Sequence, residues 1–311
     1  MPSVEDTSAT VRTVLLTAVA PVVWGSTYAV TQLALPPGRP MFSAAMRILP
    51  AGLLLLLWLR RLPRGRWWGR AAVLGTLNHG LFFALLYVAA YRLPSGLAAT
   101  LTALSPLVVM GVARLALGER QPRVTVLASL AGVAGVVLLV RQGGHEGGVD
   151  PVGVAAAVGA VVSSAVGFVL VKRWTPRDGV LVTTSWQLVA GGLLLVPVAL
   201  VTEGAPPVLD GAGVLGLLYL GLVGSVLGYV VWFRGLTRMD AGAVAVVGLV
   251  NPVVGTALGV VLLGEPFGWG HLAATGVVLG GVLAAQAPVR RAARRLRPHR
   301  RAPLVPVCAP E

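Results

Sequence analysis

The chain has 311 residues, 56% of them hydrophobic and only 12% charged, with a formal net charge of +14. Soluble chains carry roughly 25% charged residues, so this composition excludes a soluble globular protein and makes the bilayer the solvent for most of the chain. The basic residues sit in short clusters between long apolar runs, which argues against a nucleic-acid partner. The lone cysteine, Cys308, excludes a disulfide framework and a cysteine-based metal site.

In chain order, residues 1–13 include Glu5 and Asp6 and lack the basic-then-apolar pattern of a cleaved signal peptide, so they read as a cytoplasmic tail. Runs free of Asp, Glu, Lys and Arg follow at Val14–Leu35, Ala71–Tyr91, Leu93–Ala113, Val124–Val140 and Pro151–Val171. More lie at Gly179–Thr202, Gly211–Phe233, Ala241–Gly264 and Gly268–Val289, and Pro40–Leu59 is broken only by Arg47. Each run is close to the roughly 20 residues a helix needs to cross the hydrocarbon. None shows the apolar-polar alternation of barrel strands. The expectation is an all-α membrane protein of ten transmembrane helices, with residues 290–311 as a basic cytoplasmic tail.

Loop charges orient these spans. With both termini inside, Arg60, Arg61, Arg64, Arg66, Arg70, Lys172 and Arg173 face the cytoplasm, as do Arg234 and Arg238. Most of the 25 basic residues then lie inside, while Glu146, Asp150, Glu203, Asp210 and Glu265 lie outside. The tail arginines anchor the chain to the membrane surface, and the bilayer is its main partner.

The chain also repeats itself. A shift of 146 positions aligns Gly96–Glu119 with Gly242–Glu265, matching Pro106 to Pro252 and Leu117-Gly118-Glu119 to Leu263-Gly264-Glu265. A shift of 140 pairs Arg47 with Gln187 and Gly52-Leu53-Leu54-Leu55 with Gly192-Leu193-Leu194-Leu195. Residues 14–140 and 151–289 thus form two five-helix repeats joined by an external linker, 141–150. Five is odd, so the second repeat enters the membrane inverted, a construction typical of secondary transporters.

These features resemble the EamA-like branch of the drug/metabolite transporter superfamily over nearly the whole chain. The resemblance rests on the two repeats, on Trp24-Gly25-Ser26-Thr27, on Ser105-Pro106 and Asn251-Pro252, and on the endings at Glu119 and Glu265. It implies a carrier, often an exporter of metabolites, amino acids or drugs, with a cavity between the halves. Small multidrug relatives use a membrane-embedded Glu in their first helix. Val14–Leu35 has no acidic residue, so that coupling is not supported here.

Polar residues inside spans mark the candidate substrate site. Arg47 is the one formal charge well inside a span, suited to a substrate carboxylate; the alternatives are snorkelling or a structural hydrogen bond. Gln187, its repeat partner, supplies donors beside Trp186. Asn78 and His79 share the third span, where an imidazole either handles protons or ligand or bonds within the bundle. Ser105 and Asn251 precede prolines that free backbone carbonyls and kink their helices. Trp24, Thr27, Tyr28, Tyr87 and Tyr229, with Trp232, offer an aromatic wall, against the bland reading of lipid contact. Nothing calls for a cofactor or metal, and neither a His-Glu-x-x-His pair nor a nucleotide-binding loop occurs, which argues against an enzyme or primary pump. A receptor, an assembly subunit and a channel remain as rivals. Small-residue spacings such as Gly276 with Gly280 suit packing within one chain or a homodimer.

Overall fold

A computed structural model describes residues 4–92, 101–141, 150–174, 178–263 and 268–295. Glu146, Glu265 and most of the basic tail therefore lie outside the described residues. Among those described there is no strand. The chain runs through α1 (Val4–Ala34), α2 (Pro40–Leu59) and α3 (Trp67–Gly75), then a π-helical segment, π1 (Thr76–Gly80), and α4 (Leu81–Arg92). Next come α5 (Ser105–Leu117), α6 (Arg123–Arg141), α7 (Pro151–Arg173), α8 (Val180–Glu203) and α9 (Gly211–Tyr219). A second π-helical segment, π2 (Leu220–Leu227), leads into α10 (Gly228–Leu236), followed by α11 (Ala241–Val247), α12 (Val250–Leu263) and α13 (Trp269–Arg295).

Seven helical stretches among the described residues are long and apolar enough to span a bilayer. Shorter apolar helices lie at Leu101–Leu117, Arg123–Leu138 and Thr275–Ala285. Leu57, Trp58, Leu115 and Leu193 project outward, as lipid-facing side chains do when the solvent is hydrocarbon. Polar caps hold helix starts where the chain leaves the apolar layer. Asp150 accepts from the Val152 and Gly153 amides at 2.8 and 3.4 Å ahead of Pro151, and Asp210 accepts from Gly213 at 2.7 Å. Gly118 adopts φ 70° and closes α5.

The prolines expected to kink spans sit just after an interruption of their spans, in the first turn of the helix that follows. Pro106 lies in the first turn of α5, and a break at Gly248 and Leu249 separates α11 from α12 just before Pro252. The first turn is where a missing amide costs no helical bond.

The core is built on the crossing of α2 and α8, which glycines bring together backbone to backbone. A β-carbon on Gly52 would stand 2.8 Å from that of Leu188, and one on Gly192 would stand 2.6 Å from that of Leu49. The same reciprocity continues into the π-helical helices. A β-carbon on Gly75 would meet the Gln187 carbonyl at 2.7 Å, and one on Gly221 would meet the Arg47 carbonyl at 3.0 Å.

Polar ties close the two ends. At one, Glu119 pairs with Lys172 and accepts from the Ala241 amide at 3.1 Å, while Lys172 donates to the Met239 carbonyl at 2.7 Å. At the other, the Glu203 carboxylate accepts from the Met41 and Phe42 amides at 2.6 and 2.9 Å, and Arg39 donates to the Glu203 carbonyl.

Candidate functional site

The crossing of α2 and α8 carries the candidate site, because each helix presents a polar residue to the π-helical segment beside it. Arg47, 5% exposed, donates from Nε to Ser225 Oγ in π2 at 3.0 Å. Its guanidinium carbon lies 5.4 Å from the Phe83 ring centroid, within reach of a cation–π attraction. Gln187, 1% exposed, accepts from Asn78 Nδ2 in π1 at 2.9 Å. π-helical turns lack the regular α-helical bonding and concentrate at functional positions. Here both lie against this polar pair.

Aromatic rings fill the space beside the pair. Trp24 packs at 5.0 Å from Tyr229 and 5.3 Å from Trp232, and donates from Nε1 to the Gly224 carbonyl at 2.8 Å. His79 meets Tyr229 edge-on at 4.3 Å, and Phe233 stacks obliquely on Tyr229 at 5.5 Å. Among the described residues, Thr27 Oγ1, Asn78 Oδ1, both imidazole nitrogens of His79 and Trp232 Nε1 are buried without a hydrogen-bond partner. Each such orphan costs about 1–3 kcal/mol.

Of the residues expected from sequence, Trp24, Arg47, Asn78, His79, Gln187 and Tyr229 meet in this region. Thr27 lies three residues past Trp24 on α1, its Oγ1 buried without a hydrogen-bond partner, and Tyr87 lies at the region's edge, its ring 6.4 Å from that of Phe83. Asn251 reaches it through its backbone, since its carbonyl would stand 2.8 Å from a β-carbon on Gly25, next to Trp24. Trp186 lies apart, because its Nε1 donates to the Arg61 carbonyl at 2.7 Å and its ring packs on Trp67 at 5.9 Å, at a helix end. Ser105 opens α5 and takes no part in the bonds just described. The Tyr28 side chain is outside what the structure describes.

Ser225 and Phe83 escaped the sequence reading. A serine or phenylalanine in an apolar run carries no local signal of its partner, and Ser225 stands 178 positions from Arg47. Ser26 escaped too, its hydroxyl 2.8 Å from that of Tyr219.

The model of the EamA-like transporter family matches residues 11–141 and 151–285. The chain belongs to the EamA-like transporter family. Consistent with its apolar helices, it is an integral membrane protein. It is 39% identical to Protein PecM of Dickeya dadantii over 78% of this chain and 82% of that protein. It is 29% identical to the inner membrane transporter YedA of Escherichia coli K12, over 84% of this chain and 86% of YedA. A probable amino-acid metabolite efflux pump of Salmonella typhimurium is 27% identical over 84% of this chain and 90% of its own length. One solved crystal structure shares the fold, with a TM-score of 0.76 at 22% identity over 90% of this chain and 98% of the other.

Proposed function

We propose that this family member is an alternating-access secondary carrier that exports a small metabolite bearing an anionic group. The observation that carries the reading is the Arg47 cation. It is buried at 5% exposure, and among the described residues no carboxylate lies within ion-pair distance of it. A charge held inside a membrane protein without a counter-ion is costly and is kept where function uses it. A substrate carboxylate supplies the missing charge, the aromatic rings of Trp24, Tyr229 and Trp232 take the apolar body, and the orphan polar atoms take its remaining polar groups. Amino acids, related metabolites and drug-like acids all fit that description. The name of the Salmonella relative, an amino-acid metabolite efflux pump, favours export and this substrate range.

The architecture behind this reading is ten spans in two inverted repeats, 14–140 and 151–289, with both termini cytoplasmic in the cell membrane. The seven spanning stretches and three shorter apolar helices support that count. The reciprocal contacts of Gly52 and Gly192, and of Gly75 and Gly221, support an approximate two-fold axis between α2 and α8. Two related packings of such halves give inward-open and outward-open states. In this arrangement Glu119–Lys172 ties the halves at the cytoplasmic end, and Glu203 ties them at the outer end.

Purified protein in proteoliposomes, assayed for flux of a metabolite panel with and without a pH gradient, tests the reading. Saturable flux of at least one anionic or zwitterionic compound, lost in Arg47→Ala, is the expected result. Flux that rises linearly with concentration, as through a channel, refutes it.

A further inference from the structure

We infer that Ser225 and Gly224 of π2 are positioning residues that orient the Arg47 guanidinium, so that its Nη1–Nη2 edge presents to a planar oxyanion of the carboxylate class. The inference rests on the reading of Arg47 as the substrate's anion site and adds what makes that site selective.

A serine hydroxyl has one proton to donate. Ser225 Oγ gives it to the Leu220 carbonyl, five residues earlier, at 3.0 Å. Toward Arg47 the oxygen is therefore an acceptor, and it takes the Nε–H at 3.0 Å. The five-residue reach belongs to the π-helical turn, so π2 itself points the serine lone pair at α2. Ser225 is fully buried, and no water competes for the bond in bulk.

Gly224 packs on the same cation. A β-carbon there would stand 3.1 Å from Nη2, 3.6 Å from the guanidinium carbon and 3.7 Å from Nε, so π2 covers the guanidinium at its Nη2 corner. The Trp24 indole locks that stretch by donating to the Gly224 carbonyl at 2.8 Å. Phe83 contacts the cation at 5.4 Å and limits its swing. A guanidinium binds carboxylates through two parallel N–H bonds, using either its Nε–Nη side or its Nη–Nη end. With Nε occupied by Ser225, only the Nη1–Nη2 end offers two donors together, and neither of these nitrogens has a hydrogen-bond partner among the described residues. That end matches the two coplanar oxygens of a carboxylate. It gives a neutral carboxamide only one acceptor and sets an amide N–H₂ against a cation.

The test measures binding of benzoate, phenylacetate and hexanoate, each against its own carboxamide, to the purified full-length protein in detergent by isothermal titration and thermal shift. Wild-type protein binds at least one acid about tenfold or more tightly than its amide, the scale of one charge-assisted pair. Ser225→Ala weakens that acid by about tenfold and leaves the amide unchanged, while Ser225→Thr, which keeps the hydroxyl, stays within about threefold of wild type. Gly224→Ala crowds Nη2 without touching the serine and narrows the acid-to-amide ratio by a second route. A Ser225→Ala protein that keeps the full ratio, while Arg47→Ala loses it, overturns the positioning role and leaves the anion site standing. A ratio that survives Arg47→Ala, or is absent in wild type, overturns the anion site itself and the positioning role with it.

Discussion

Replacing Gly192 by alanine puts a number on the closeness of α2 and α8. The new β-carbon would stand 2.6 Å from the Leu49 β-carbon, 2.9 Å from its α-carbon and 3.1 Å from its backbone nitrogen. Carbon atoms rest at roughly 3.5–4.0 Å, so the helices must separate by about 1 Å. Two of the three obstructing atoms are backbone, and no rotamer change relieves them. Overpacking of this kind costs about 1–3 kcal/mol, while alanine regains up to about 1 kcal/mol of helix propensity over glycine. The net expectation is a loss of about 1–2 kcal/mol. Gly276→Ala is the matched control: its β-carbon meets nothing within 4 Å, and only the propensity gain remains. Thermal unfolding in one detergent should separate the variants by several degrees, at about 2–4 °C per kcal/mol for a chain of this size. Gly52→Ala should fall with Gly192→Ala, because its clash with Leu188 at 2.8 Å is the reciprocal one. A Gly192→Ala protein as stable as Gly276→Ala would refute the close crossing and the two-fold argument built on it.

Other outcomes follow from single contacts. Lys172→Met should lower thermal stability by about 1–3 kcal/mol by removing the ion-pair partner of the largely buried Glu119 carboxylate, and Lys172→Met with Glu119→Gln should lose less than the two single losses added together, as a double-mutant cycle would read. The Arg92 guanidinium and the Val152 amide hold the Asp150 carboxyl below its usual 3.8. A depressed folded-state value means that its stabilising contribution is present above pH 3.8 and fades as pH falls below it, so the melting temperature of Asp150→Asn should approach that of wild type in that acid range only. Asp210→Ala should cost about 1 kcal/mol by removing the cap on Gly213, measured by the same melt. Since Cys308 is the only cysteine, a membrane-impermeant maleimide should label inside-out vesicles and spare right-side-out ones; the reverse pattern would overturn the cytoplasmic C-terminus.

Much of this protein was legible in its residues alone. Run length and the scarcity of charge made it helical and membrane-embedded, since a helix satisfies its own backbone within lipid whatever it packs against. The family was legible in the Trp24 motif, the paired prolines and the repeat, and Arg47 stood out because a charge inside an apolar run is visible without coordinates. Tertiary structure decided which polar residues meet. Trp186 and Gln187 are neighbours in sequence, yet one bonds the Arg61 carbonyl at a helix end and the other bonds Asn78 in the core, because consecutive residues on a helix point about 100° apart. Of the two π-helical segments, π2 left no mark, since it is as apolar as the helices it interrupts, while π1 showed only as the polar Asn78 and His79 inside an apolar run. Ser225 became the partner of Arg47 through a contact 178 residues long. Hydropathy is a property of each residue and its near neighbours, so it selects the solvent and the helix; a hydrogen bond between distant helices belongs to their packing, and only the fold specifies it.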